Sequence, residues 1–124
     1  MSTSIKVLIV DDSSIIRKII VKSVSEGRFE IVGVAGNGLQ ALEMFKNFLP
    51  QIVTLDITMP EIDGLTVLEE MIKIKPDVKI VVISALSDKA TGIRAIKMGA
   101  KSFIPKPFTT EDVQKTIIKL AETI

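Results

Sequence analysis

The strongest constraint on the fold is a run of apolar or β-branched residues that leads directly into a carboxylate, Ile52-Val53-Thr54-Leu55-Asp56. Short runs of this kind, bounded by turn signals, are typical of strands that are buried on both faces of a parallel sheet. The following segment, 59–64, contains Pro60 and Gly64 and favours a turn. We therefore expect Asp56 at the carboxyl end of a central strand, on the edge of the sheet where open α/β folds bind ligands.

The rest of the chain alternates between predicted strands and predicted helices. The predicted strands are 5–10, 30–35, 52–56, 79–84 and 102–104, and the predicted helices are 13–26, about 38–49, 65–75, 88–98 and 110–124. Alternation with short connections predicts parallel strands, right-handed crossovers and helices on both faces of the sheet. We expect one doubly wound α/β domain, with Pro105 next to an edge strand, where the missing N–H does little harm.

Apolar residues at helical spacing predict which face of each helix packs on the sheet. Leu49 and Ile124 are assigned to the buried faces of the second and the last helix. The fourth helix has a thin apolar stripe made of Ile93 and Ile96, so we expect this helix to be loosely held.

Composition and charge exclude several classes of function. Sixteen Lys and Arg against 15 Asp and Glu leave no basic field for nucleic acid. The chain has no Cys and no His, which excludes thiol chemistry and a phosphohistidine role and removes the commonest transition-metal ligand. No apolar stretch approaches the ~20 residues of a membrane span, and the N-terminal apolar run does not resemble a secretory signal. We expect a cytoplasmic protein without a nucleic-acid or membrane partner.

Polar side chains lie at the carboxyl ends of four of the predicted strands. Asp11 and Asp12 follow the first strand, Asp56 ends the third, Ser84 ends the fourth and Lys106 follows the fifth. The carboxyl ends of parallel strands meet at one edge of the sheet, so these groups can converge there. Three close carboxylates repel one another without a cation, and a set of oxygen ligands selects a hard ion such as Mg²⁺.

This combination of groups indicates phosphoryl transfer to an aspartate. Asp56 can act as a nucleophile and form an aspartyl phosphate. Mg²⁺ and Lys106 can offset the charge on the phosphoryl oxygens, and the Ser84 hydroxyl can donate to one of them. Each residue taken alone has a plainer interpretation as a helix cap, a strand end or a solvated side chain. The complementary chemistry of four strand ends favours the functional interpretation, while Asp63-Gly64 is assigned to a turn.

The motifs at these strand ends resemble those of the receiver domain of response regulators, and the resemblance extends over residues 1–124. The motifs are Val10-Asp11-Asp12-Ser13, Leu55-Asp56-Ile57-Thr58-Met59-Pro60 with Asp63-Gly64, Ile83-Ser84-Ala85 and Lys106-Pro107-Phe108. The resemblance implies a flavodoxin-like fold with the strand order 2-1-3-4-5.

The resemblance also implies a role for each carboxylate. Asp56 is the expected phosphoacceptor, and a histidine kinase is the expected donor. Asp12, Asp56 and the backbone carbonyl of Thr58 would bind Mg²⁺ directly, and Asp11 would bind it through water.

The same resemblance implies a switch on the other side of the site. Ser84 and Lys106 would contact the phosphoryl group. Phe103 matches the aromatic switch position, where the ring turns inward when Ser84 is drawn to the phosphate. The Lys106-Pro107 bond matches one that is cis in the family.

Two features depart from common members of the family. The switch residue is Phe103 and not Tyr, so it has no hydroxyl with which to report the state. Thr58 and Leu86 stand two residues after Asp56 and Ser84, and neither can position water as an amide or a carboxylate would. We therefore expect slow self-dephosphorylation.

The expected function is a stand-alone, monomeric, phosphorylation-activated switch of a two-component system. Residues 11–18 and 56–64 look most like chemotaxis receivers. The chain ends with its last predicted helix, so the expected output is a surface formed by helix four, strand five and helix five, with Ile118 exposed there. The expected partners are the kinase and a downstream protein, with a phosphatase as an optional third. No enzymatic activity is expected beyond the chain's own phosphorylation and dephosphorylation.

Four alternatives remain open at this point. A phosphorelay intermediate, or a receiver excised from a larger regulator, would have the same motifs. A Mg²⁺-dependent phosphatase predicts a second acid two residues after the nucleophile, where this chain has Thr58. A flavin-binding module needs a phosphate-binding loop after strand one, where two carboxylates would repel the phosphate.

Overall fold

The computed structural model describes residues 4–24, 27–58 and 63–124, and only the backbone of Leu86. The strands are β1 (Ile5–Val10), β2 (Phe29–Ala35), β3 (Ile52–Asp56), β4 (Lys79–Ala85) and β5 (Ser102–Lys106). The helices are α1 (Ser14–Val24), α2 (Gly38–Phe48), α3 (Gly64–Ile74), α4 (Lys89–Met98) and α5 (Thr110–Ala121), and a single 3₁₀ turn, Leu86–Asp88, precedes α4. Residues 59–62 of the turn predicted at 59–64, and the predicted end of the first helix at 25–26, lie outside the described residues. Asp63 and Gly64, which were assigned to that turn, are instead the N-cap and the first residue of α3, and the Asp63 side chain accepts the Leu65 N–H.

All five strands are parallel and lie in the order β2-β1-β3-β4-β5, which confirms the predicted doubly wound fold. Val10 of β1 lies opposite Leu55 of β3, so Asp11, which follows β1, lies beside Asp56, the last residue of β3. Register in the sheet therefore places two carboxylates together before any side-chain contact is considered.

Two apolar layers hold the helices against the sheet. The layer under α2, α3 and α4 includes Leu8, Val53, Phe45, Leu68 and Met71, all fully buried. The layer under α1 and α5 includes Ile9, Ile52, Ile83, Ile20 and Ile117, which are equally inaccessible. Every residue of β3 is buried, as expected for the central strand of a parallel sheet.

The predicted helix starts are confirmed at two caps. The Asn37 side chain accepts the Gln40 N–H at 2.8 Å. Thr109 and Asp112 form a reciprocal capping box at the start of α5. β5 is longer than predicted because it continues through Pro105, which pairs opposite Ser84 on an edge strand where the missing N–H is tolerated.

The prediction that Ile93 and Ile96 form the packing stripe of α4 is wrong. Their side chains are 48% and 41% exposed, and the residues of α4 that are buried are Gly92 and Ala95. The ring of Phe103 fills the space on the inner side of α4, where a Cβ at position 92 would lie 2.6 Å from a ring carbon. A bulky face could not approach the sheet here, so α4 packs through small residues.

The assignments of Leu49 and Ile124 to buried faces are also wrong. α2 ends at Phe48, and Leu49 is the C-cap residue, with a left-handed φ of 46°. This conformation takes its side chain out of the helical stripe, and it is 47% exposed. α5 ends at Ala121, which leaves Ile124 beyond the helix and 54% exposed. In the described part of the chain, no helix is long and apolar enough to cross a membrane.

The side-chain hydroxyl of Thr54 is buried without a hydrogen-bond partner. Its side chain is fully buried in β3, and Oγ1 has no hydrogen-bond partner. A buried, unsatisfied polar group costs about 1–3 kcal/mol, so we expect Thr54→Val to raise the free energy of unfolding by about that amount. Urea denaturation measures the change. Thr66→Val, on an exposed position of α3, serves as the control and should leave stability nearly unchanged. A less stable Thr54→Val variant would contradict this assignment.

Candidate functional site

Three carboxylates meet at the carboxyl edge of the sheet. Asp11, Asp12 and Asp56 each place a carboxylate oxygen within 4.8 Å of the others. Asp11 and Asp56 are buried, at 0% and 1% exposure, whereas Asp12 is open to solvent. The convergence predicted from the strand ends is therefore present in the structure.

Lys106 supplies positive charge to the two buried carboxylates. Its Nζ lies 3.3 Å from Asp56 Oδ2 and 3.6 Å from Asp11 Oδ2. The pairing of β4 with β5 sets this position, because Lys106 lies opposite Ala85 at the same edge of the sheet. Two buried anions need such a partner, since an unpaired buried charge is strongly destabilising.

Thr58 fixes the other side of the Asp56 carboxylate. Its backbone N–H donates to Asp56 Oδ1 at 2.9 Å, and its hydroxyl donates to the same oxygen at 2.6 Å. The resemblance implied a role for the carbonyl of Thr58, whereas the bond from its hydroxyl was not predicted. The available signal was the Asp-x-Thr spacing, which allows local side-chain to backbone bonding. With Lys106 on Oδ2, both oxygens of Asp56 are held.

Asp11 has an unusual environment for a carboxylate. The pKa of Asp11 is raised to about 6, mainly by burial and to a smaller extent by repulsion from Asp56 and Asp12. The hydrogen bond from the Ser13 N–H and the charge of Lys106 lower it only in part. The Ser13 N–H donates to Oδ1 at 2.9 Å, but Oδ2 accepts no hydrogen bond. This buried oxygen has Lys106 at ion-pair distance but no hydrogen-bond donor, and in a set of ligands made only of oxygen atoms it fits a hard divalent cation such as Mg²⁺.

The raised pKa of Asp11 predicts a pH-dependent stability. The folded protein holds this proton up to about pH 6, whereas the unfolded chain releases it near 3.8. The contribution of Asp11 to stability should therefore fall as pH rises through this window, by about 3 kcal/mol in total without Mg²⁺. Asp11→Asn cannot lose that proton. We expect its stability relative to the parent protein to grow by about 3 kcal/mol between pH 3.5 and 7.5.

Urea denaturation across this pH range, in the presence of EDTA, measures the effect. Asp77→Asn is the matched control, because Lys75 lowers the pKa of Asp77 and the pH trend should have the opposite sign. A stability difference between Asp11→Asn and the parent that does not change with pH would contradict the prediction.

Ser84 lies at the carboxyl end of β4, next to β3, and is fully buried. Its hydroxyl donates a long hydrogen bond, 3.4 Å, to Asp88 Oδ2. Asp88 was not singled out from the sequence, although an acidic residue at the start of a predicted helix is a recognisable capping signal. In this structure, Ser84 is thus directed towards the start of α4.

Phe103 lies on β5 and is partly buried in the layer under α2, α3 and α4. Its ring packs against the backbone of α4 at Gly92. The peptide bond between Lys106 and Pro107 is cis, as the resemblance implied. β5 therefore carries both Lys106 and an aromatic ring that contacts α4.

Comparisons with known proteins agree with this geometry. The family model for the response regulator receiver domain matches residues 7–118. The chemotaxis protein CheY of Thermotoga maritima is 43% identical over 117 residues, which cover 94% of this chain and 98% of that protein. The REC domain of AraT, a response regulator from Geobacillus stearothermophilus, has a TM-score of 0.91 and 28% identity, and the match covers 98% of this chain and 95% of that chain.

A third comparison concerns a complex. A chain in the structure of the CheX-CheY-BeF3-Mg²⁺ complex from Borrelia burgdorferi has a TM-score of 0.88 and 33% identity, with 96% of this chain and 90% of that chain covered. The sheet order, the acidic edge with its lysine and the match of the family model along the chain lead to one conclusion: this chain belongs to the response regulator receiver domain family.

Proposed function

We propose that the chain is a phosphorylation-activated switch in which Asp56 accepts a phosphoryl group from a histidine kinase. The observation that carries the proposal is the fixed orientation of the Asp56 carboxylate, between Thr58 on one oxygen and Lys106 on the other. A nucleophile held in this way is oriented for attack before its substrate arrives.

In the proposed reaction, a carboxylate oxygen of Asp56 forms a bond to phosphorus as the bond from phosphorus to the kinase imidazole nitrogen breaks. Lys106 offsets charge on the phosphoryl oxygens. Asp12, Asp56 and the Thr58 carbonyl would hold Mg²⁺, with Asp11 contributing through water. The ion, when bound, adds positive charge at these oxygens. Ser84 would exchange its hydrogen bond to Asp88 for one to a phosphoryl oxygen.

We further place the chain in chemotaxis signalling, with residues 1–124 as one receiver domain. Relatives named chemotaxis protein CheY match it over nearly their whole length. Because the Borrelia burgdorferi structure is a complex of CheX with CheY, we expect this chain to bind a protein partner too. Its role is then that of a signalling protein, whose chemistry is limited to its own phosphorylation and dephosphorylation.

The proposed output surface is formed by α4, β5 and α5. Ile93 and Ile96, which do not pack in the core, supply exposed apolar area for a partner there. Ile118 is 52% exposed but does not lie on this surface. It lines a groove with Phe29 at the start of β2, whereas Lys115 and Lys119 line the α5 flank beside β5. The expectation that Ile118 belongs to the output surface is therefore wrong.

Slow self-dephosphorylation also belongs to this proposal. The Thr58 hydroxyl is engaged with Asp56 itself and does not offer an amide or carboxylate for positioning a water molecule. We expect the purified, phosphorylated protein to keep its phosphoryl group for minutes or longer, as followed by intact mass after removal of the donor. A lifetime of seconds would contradict this expectation.

Incubation with acetyl phosphate tests the proposed chemistry without the need for a cognate kinase. Intact-mass spectrometry should show a single phosphoryl adduct in the presence of Mg²⁺ and none when EDTA removes the ion. The same sample, unfolded in urea during the incubation, controls for non-specific phosphorylation. An adduct that forms equally in EDTA or in the unfolded chain would contradict a phosphorylation site that depends on Mg²⁺ and on the fold.

A further inference from the structure

Asp88 stands at the N-cap position of α4 but does not cap the helix. Its backbone has φ −108° and ψ 36°, and its side chain accepts no N–H of the first turn. Aspartate is among the best N-cap residues, and its negative charge is also favourable at a helix N-terminus. The first turn of α4 therefore lacks a bond that its own sequence could provide.

The carboxylate of Asp88 is occupied by two hydroxyl groups instead. Thr91, in the first turn of α4, donates to Oδ1 at 2.6 Å, and Ser84 donates to Oδ2 at 3.4 Å. Ser84 is fully buried, so its hydroxyl cannot turn to bulk water when it loses this partner. The Asp88 carboxylate thus connects the end of β4 to the start of α4.

Holding Ser84 and capping α4 are competing uses of the same side chain. A capping carboxylate accepts from the N–H of the second or third helical residue, here Ala90 or Thr91. In the observed rotamer Oδ1 accepts from the Thr91 hydroxyl and Oδ2 from Ser84, and neither oxygen accepts from an N–H of the first turn. The carboxylate must therefore rotate to cap the helix, and we infer that this rotation takes Oδ2 away from Ser84. The 3.4 Å bond to Ser84 is long for a hydroxyl donor and therefore weak, so little is lost when it breaks.

We propose that Asp88 is a positioning residue with two alternative partners. Its carboxylate accepts either the hydroxyl of Ser84 or an N–H at the N-terminus of α4. In the resting protein, Asp88 holds the Ser84 hydroxyl and leaves α4 uncapped. Once Ser84 turns away, the carboxylate rotates and caps α4. The trigger for that turn rests on the proposed phosphorylation of Asp56, but the exchange itself is a property of the unphosphorylated chain.

Amide hydrogen exchange in the unphosphorylated Ser84→Ala variant tests the proposal directly. The lost hydroxyl frees Asp88, so the amides of Ala90 and Thr91 should exchange about fivefold more slowly, the factor that a typical N-cap bond carries. In Ser84→Ala combined with Asp88→Ala, the slowing should disappear. A purely structural role of Ser84 predicts the reverse, since a deleted buried group loosens its neighbours.

Ser23→Ala is the matched control, because it removes another buried hydroxyl, one bonded to the Ile19 carbonyl in α1. It should leave the exchange of Ala90 and Thr91 unchanged. Equal or faster exchange of these amides in Ser84→Ala would overturn the proposal, even if Asp56 proves to be phosphorylated. If Ser84→Ala does not fold, phosphorylation of the parent protein should slow the same amides and Asp88→Ala should abolish that slowing. Slowing that survives in Asp88→Ala would overturn the proposal.

Discussion

The Asp56→Asn variant is expected to fold and to accept no phosphoryl group from acetyl phosphate in the presence of Mg²⁺. An amide of the same size can still accept the two hydrogen bonds from Thr58, so the loop after β3 should keep its conformation. A neutral amide is not a nucleophile at neutral pH, so it cannot form the acyl phosphate. Intact mass after incubation with the donor measures the loss.

Asp77→Asn provides the comparison for this result. Asp77 is a mostly exposed carboxylate that pairs with Lys75 before β4, at the opposite end of the sheet from Asp56. Its replacement should leave the yield and rate of the adduct unchanged. Equal phosphorylation of Asp56→Asn and the parent protein would show that another group accepts the phosphoryl group.

The Lys106→Met variant is expected to be phosphorylated about 10²–10³-fold more slowly, the usual effect of removing one preorganised charge or donor from a site of this kind. Lys106 Nζ lies within 4 Å of both buried carboxylates, where little water is available to screen its charge. Methionine keeps the length and the apolar stem of the side chain, so the loss reports on the charge and not on packing. The rate of adduct formation with acetyl phosphate is the measurement.

Lys101→Met controls for a general effect of net charge on the approach of an anionic donor. Lys101 is exposed just before β5, at the far end of the strand that carries Lys106. This variant should be phosphorylated at the parent rate. A Lys106→Met rate within tenfold of the parent would mean that the lysine holds the two carboxylates together but contributes little to the reaction.

The sequence was sufficient to place the functional side chains on one edge of the sheet. Alternation of strands and helices fixes parallel strands, and Asp11, Asp56, Ser84 and Lys106 each lie at a carboxyl end. The order of the strands could not be predicted in this way, because alternation alone does not require β1 to lie next to β3. That step came from the resemblance of the motifs, and the register of Val10 against Leu55 confirms it.

The errors in the helices have a common physical origin. Helical periodicity finds the largest apolar residues, such as Ile93 and Ile96, and assigns them to the core. In α4 the space is limited by the Phe103 ring, so Gly92 and Ala95 face inward although neither gives a strong hydrophobic signal. Which face fits against β5 depends on a side chain from a distant part of the chain, and a local pattern cannot contain that information.

The hydrogen bonds within the site could not be predicted from the sequence either. The Thr58 hydroxyl on Asp56 and the carboxylate of Asp88 on Ser84 depend on loop conformations and side-chain rotamers. Both Thr58 and Asp88 lie just after a strand end, where several local bonding patterns are available to short polar side chains. The chemistry of the site could be predicted at the level of charged groups, but the partner of each oxygen could not.

The central claim is that Asp56 itself carries the phosphoryl group, and borohydride reduction tests it most directly. The protein is phosphorylated with acetyl phosphate and Mg²⁺, treated with borohydride, digested and sequenced by mass spectrometry. Reduction converts an aspartyl phosphate to homoserine, so we expect homoserine at position 56 and unchanged aspartate at Asp11 and Asp12. Homoserine at either of those two positions, or a phosphorylated protein without homoserine, would contradict the proposed function.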